Sequence, residues 1–152
     1  MSGMSIDLAT DLFNAVLRNT AYTGPSELYL AVHTDISGEP THPGKTTPAA
    51  FASEASYSGY QRQLISFTAP TGSDVAQGDN DIAAVFAELG SGETEFPVTG
   101  LSVWSAERGA NDTDSGTMLL AGPVDLVKQI QAGDAPLVSV GSLVAVFGQP
   151  IP

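Results

Sequence analysis

Cysteine is absent from the 152 residues. That excludes thiol catalysis, a cysteine-ligated zinc centre and a disulfide framework together, while leaving the compartment open. Base is nearly as scarce, with five Lys plus Arg against 17 Asp plus Glu and a formal charge of −12. Binding nucleic acid through its phosphates requires clustered cations, whereas Arg18, Lys45, Arg62, Arg108 and Lys128 are scattered, so no nucleic-acid partner is expected. Charged residues of both signs make up only 14%, against roughly 25% in an ordinary soluble protein. The polar surface must then be largely Ser, Thr, Gly, Asn and Gln. This suits a chain partly covered by neighbouring subunits, or a salty medium in which acid repulsion is screened. No apolar run approaches the roughly 18 residues of a membrane span, so no membrane partner is expected. The N-terminal MSGMSIDLATDLF lacks a basic region and is interrupted by Asp7, Thr10 and Asp11, which predicts no signal peptide.

What is present predicts a single domain, 1–152, able to bury roughly two thirds of its unfolded surface without a staple. Its organising stretch is LYLAVHT, Leu28 to Thr34. Leu28, Leu30 and Val32 point one way and Tyr29, Ala31 and His33 the other, so apolar groups on both faces mark a central strand covered on both sides. Before it, residues 5–19 predict a helix. Ser5 is its N-cap, Asp7 lies in the first turn and Arg18 in the last, and the stripe Ile6, Ala9, Phe13, Val16, flanked by Leu12 and Leu17, is expected to pack on the sheet. Residues 35–56 form a Pro-rich loop holding Pro40, Pro43 and Pro48. A loop of this length is either functional or ordered by contact. Strands are expected at Tyr60 to Phe67, Asp81 to Glu88, whose alanines leave a helix open, Val98 to Ser105, Thr117 to Ala121, Val124 to Ile130 and Leu137 to Phe147, the last with a bulge or a bend at Gly141. Residues 148–152, with two prolines, form a C-terminal arm. Short punctuated strands without alternating helices predict an antiparallel β-sandwich, jelly-roll or Ig-like, with one N-terminal α-helix. Leu28, Leu30, Val32 and Trp104 are the expected core, and Ile36, Phe51 and Ile151 the expected interface.

Chemistry is harder to find. His33 lies inside a strand and His42 in the Pro-rich loop, with no ligand set such as HExxH around either. Neither Ser37-Gly38 nor Ser115-Gly116 makes a nucleophile elbow, and Glu95 stands where a dinucleotide fingerprint after Gly90 and Gly92 needs glycine. Asp112 and Asp114 in NDTDSG resemble the start of a calcium loop, but Gly116 and Pro123 occupy positions that must donate oxygen, and a polar hairpin tip fits better. Gly78 to Asp81, GDND, reads as a turn. Arg62, between Gln61 and Gln63, must find a carboxylate in so acidic a chain. No nucleophile, base and orienting group can be assembled, so no catalytic residue, cofactor or metal ligand is assigned.

Taken in order, these elements resemble a widespread family of small tailed-phage virion proteins, often labelled tail-fibre or minor structural proteins. The likeness begins in the apolar helix, the Gly24-Pro25 turn and LYLAVHT, continues in Tyr57-Ser58-Gly59-Tyr60-Gln61-Arg62-Gln63 with Phe67 and Ala69-Pro70, and includes Asn80, Ile82 and Phe86. It closes in Met118 to Gly122, Gly133-Asp134 and the strand around Gly141. Ser105-Ala106 departs from the family's Asp-Ala, the tip from Glu107 to Asp114 is longer, and the Pro-rich loop is expanded. The resemblance implies a non-enzymatic phage structural protein in the virion, self-associating and bound to other virion proteins, either the major capsid protein or tail proteins. Because an acidic surface suits the outside of a DNA-filled shell, capsid decoration or cementing is the first expectation. The alternatives are a tail or connector component and a receptor-binding module at the tail tip.

Overall fold

The computed structural model describes residues 3–35, 53–72, 76–108 and 116–147. In chain order these form β1 (Gly3–Met4), α1 (Ile6–Leu17), β2 (Leu28–His33), β3 (Gln63–Ile65), β4 (Ala76–Asp79), β5 (Ala84–Val85), β6 (Phe96–Trp104), β7 (Met118–Ile130), β8 (Leu137–Val138) and β9 (Val144–Phe147). Five strands make one antiparallel sheet in the order β1-β7-β6-β2-β3, and two ribbons, β4-β9 and β5-β8, complete the β structure. The fold is mainly β and antiparallel with one N-terminal helix, consistent with the sandwich that the strand pattern predicts.

β2 is the covered strand that its double-sided pattern requires. Leu30 and Val32 enter a core with Ile65, Phe86, Leu89, Val103 and Ile130, while Tyr29 and Ala31 enter a second cluster with Trp104, Met118 and Ala121. The β5-β8 ribbon contributes Ala84 and Val138 to the larger core, and Leu143, just before β9, packs against it. Buried Asn80 fastens the ribbons together. Its amide donates to the Ile82 and Ser139 carbonyls at 2.8 and 2.9 Å, and its oxygen accepts the Leu143 N–H at 2.8 Å. A buried amide costs free energy unless satisfied, and here two of the three bonds, to Ser139 and Leu143, join segments that pair only briefly as strands.

Several boundaries differ from those expected. Only Gln63–Ile65 of the Tyr60 to Phe67 stretch and only Ala84–Val85 of the Asp81 to Glu88 stretch pair as named strands. The two strands expected on either side of Gly122-Pro123 are one strand, β7, and GDND is not simply a turn, since Gly78 and Asp79 belong to β4. The bend at Gly141 is present, with φ +74°, between β8 and β9.

The helix forms where expected but presents a different face. Ser5 caps it, its hydroxyl accepting the Leu8 N–H at 3.0 Å, and Asn19 leaves it in the left-handed region at φ 52°. Leu8 is buried and Leu12 and Ala15 are half-buried, whereas Ala9 is exposed and Ile6, Phe13, Val16 and Leu17 are 62%, 57%, 77% and 67% exposed. The cause lies just upstream. β1 pairs with β7, and the Ser5 N–H donates to the Leu119 carbonyl at 2.7 Å, so the backbone fixes the rotational phase with which α1 begins.

Candidate functional site

The densest polar arrangement lies beside the outer edge of β2. There residues 53–55 take over from β3 as its neighbour: Thr34 N–H donates to the Ser53 carbonyl at 2.7 Å and Ala55 N–H to the Val32 carbonyl at 2.8 Å. Glu54 is thereby carried inside, where both its oxygens meet Arg62, at 3.0 Å to Nε and 2.9 Å to Nη2, with both side chains almost wholly buried. This paired geometry is the one in which a guanidinium and a carboxylate offset most of their lost hydration. The Arg62 guanidinium also lies over Trp104, and its Nη1 donates to the Ala106 carbonyl at 3.1 Å. Tyr60 completes the group, donating to Glu54 at 3.2 Å and accepting the Val32 N–H at 3.0 Å. Burial, then the Glu54 charge, push its phenol well above the ordinary value.

His33 stands at the edge of this network. Its Nε2 lies 2.6 Å from the Ser102 hydroxyl and its Nδ1 2.9 Å from that of Ser53. Trp104 Nε1 can only donate, and does so to Ser102 at 2.7 Å. A neutral imidazole satisfies both contacts, one ring nitrogen donating to a serine hydroxyl and the other accepting from one. Burial, reinforced by Arg62, favours that neutral form, lowering the His33 pKa to about 4 against the opposing pull of Glu54. The contacts of Ser102 and Ser53 with His33 therefore belong to a buried structural array. They hold the chain on either side of residues 36–52, and Arg108, donating to the Ala55 carbonyl at 2.9 Å, ties the segment after β6 to the same place.

A cleft of about 560 Å³ opens between the main sheet and β9, with Met4, Leu101, Leu120, Val144 and Val146 in its lining. Among the described residues lining it Asp125 is the one titratable side chain, so those residues can hold apolar surface but make no acid–base pair. Among the described residues no three His, Asp or Glu side chains gather to hold a metal. At the other end of β7, Val98 faces Lys128 and Gly100 faces Pro123, so Val124 to Val127 stand opposite Thr99 alone. This wide bulge carries Leu126, 84% exposed, and Val127.

Of the residues expected in the core, Leu30, Val32 and Trp104 are buried and Leu28 is half-buried. Ile36, Phe51 and Ile151, expected at an interface, lie outside the described residues, as do most of the Pro-rich stretch, the Asn111 to Ser115 tip and residues 148–152. Arg62 does find a carboxylate. Sequence reasoning did not identify Glu54 as that partner, nor the roles of Ser102 and Tyr60. The available signal was an arginine between two glutamines at the entry to a strand, eight residues after a glutamate.

No curated protein matches the chain. A sequence family described as "Podophage GP4 fiber I protein gp80" matches residues 3–145, from β1 into β9. A match over nearly the whole described fold agrees with the tailed-phage resemblance in its helix, β2 and closing strands, and makes this a phage structural protein of the virion. The chain belongs to the podophage GP4 fiber I protein gp80 family.

Proposed function

We propose that this protein is a non-enzymatic component of the phage tail-fibre apparatus, present in several copies and bound to other tail proteins. The observation that carries this reading is the match of residues 3–145 to a fibre family. Its description favours the tail over the capsid exterior, which the acidic composition alone suggested. The surface supports an assembling role. Val85 and Leu137 face one another across the β5-β8 ribbon at 57% and 58% exposure, an apolar cross-strand pair suited to contact between copies. Among the described residues His33, Glu54, Tyr60 and Arg62 each have a structural partner in the buried network.

Gold-labelled antibody against the purified protein, applied to intact particles and imaged by electron microscopy, tests the location, and quantitative mass spectrometry of the same particles gives the copy number. Label at the tail with more than one copy per particle is expected. Label over the head would restore capsid decoration, and absence of the protein from purified particles overturns the reading.

A further inference from the structure

Helix α1 carries two apolar faces, and the domain uses one. The inner face, Ser5, Leu8, Leu12 and Ala15, is set by the Ser5 bond to Leu119. The other, Ile6, Ala9, Phe13, Val16 and Leu17, follows the i, i+3, i+7, i+10, i+11 spacing of one helical side and is turned to solvent. Four large side chains more than half exposed on a twelve-residue helix exceed the scatter of single apolar residues expected on any surface. The pattern is that of helices that lay anchor residues into a groove.

Charge decides among occupants. Asp7 and the exposed Asp11 lie on the same helix, and the chain as a whole carries −12. Of the four cations among the described residues, Arg62 is locked to Glu54 and Arg108 is bonded to the Ala55 carbonyl, which leaves Arg18 and Lys128 towards solvent. A second copy meeting this face would bring acids against acids with few cations to match them. An anionic lipid surface is disfavoured on the same ground. A protein that supplies its own Lys and Arg around an apolar groove satisfies both requirements.

We infer that the Ile6, Phe13, Val16 and Leu17 face of α1 docks into an apolar groove rimmed by Lys or Arg on a different protein of the virion. The inference rests on the tail-fibre reading. It deepens that reading by naming the face and the chemistry of its partner.

The test uses phage particles in which position 13 carries a photo-crosslinking phenylalanine analogue, with adducts identified by peptide mass spectrometry. An adduct to a different virion protein, on a peptide containing Lys or Arg, is expected. A parallel stock carries Phe13→Glu with Val16→Glu. Its copy number should fall at least tenfold, while the purified variant keeps wild-type circular dichroism and Trp104 emission. A wash in 1 M salt should release wild-type chain. Adducts confined to other copies of this chain, or no adduct, overturn the proposal. Full incorporation of the double variant overturns the docking face while wild-type copy number leaves the tail-fibre reading standing. Particles that lack the wild-type chain overturn both.

Discussion

The guanidinium carbon of Arg62 lies 3.9 Å from the ring centroid of Trp104, the only tryptophan in the chain, with both side chains buried. A cation stacked this closely on an indole, away from water, gains from the ring's negative face and excludes solvent from the Glu54 pair beneath it. Tryptophan emission therefore reports on the whole network.

Glu54→Ala strands Arg62 without its carboxylate. An unpaired buried guanidinium costs about 3 to 5 kcal/mol, whereas replacing both partners with apolar groups of similar volume is close to neutral. Urea titration followed by Trp104 emission should show that loss for Glu54→Ala and recovery of most of it in Glu54→Leu with Arg62→Met. A double variant no more stable than the single one would show that the pair contributes by something other than mutual compensation. Trp104→Ala, followed by circular dichroism, should cost about 3 to 5 kcal/mol through the cavity it leaves.

Stability should fall with acid through His33. Its folded pKa of about 4 lies below the unfolded 6.5, so between these values the unfolded chain binds the proton and the folded chain does not. The contribution is complete above pH 6.5 and declines as pH falls toward 4. At about 1.36 kcal/mol per pH unit the window is worth about 3 kcal/mol. Denaturation midpoints from pH 7 to 4 should show this slope, and His33→Gln should remove much of it. A slope unchanged in the variant would assign the acid sensitivity to carboxylates instead.

Tyr60→Phe removes the acceptor of the Val32 N–H, at a buried position between the end of β3 and residues 53–55. An unsatisfied buried donor costs about 1 to 3 kcal/mol. Chemical denaturation should register that cost, and amide exchange at Val32 should accelerate more than at Leu30. Equal acceleration at both positions would mean a global loss without a local origin.

Gly78→Ala should weaken the β4-β9 ribbon. A Cβ there would sit 2.8 Å from the Thr68 carbonyl oxygen, a backbone atom that cannot swing aside. Crowding of this kind costs about 1 to 3 kcal/mol. Thermal unfolding measures it, and a variant as stable as the parent would mean that the ribbon shifts freely.

How far the sequence could be read depends on what holds each element. β2 was legible because its own side chains meet apolar groups on both faces. β4 was not, because Ala76-Gln77-Gly78-Asp79 is joined to β9 through the backbone and carries no apolar alternation. Pro123 suggested a break in β7, yet the outer edge of that strand beyond Ala121 has no strand partner among the described residues, and an edge tolerates proline. The helix was readable to within a residue or two, and its orientation was not. Periodicity finds an apolar stripe, but which of two stripes faces inward is settled by the Leu119 carbonyl, far away in sequence. The same limit applies to Glu54, whose place is fixed by a bridge to His33 across residues that carry no pattern of their own.

The ties at the ends of β2 and β6 bear on how this chain can change over time. Thr34 and Ser53 clamp the two ends of residues 36–52, Ser105 N–H to the Thr117 carbonyl at 3.0 Å clamps the segment around 109–115, and Arg62 and Arg108 lash the two clamps together. With its roots fixed, a segment can lengthen at a closure cost of only about 0.6 kcal/mol per doubling. A lineage can therefore change the length of either segment at little closure cost while the ties among Glu54, Arg62 and Ala106 hold its roots, so length variation in this protein should concentrate there.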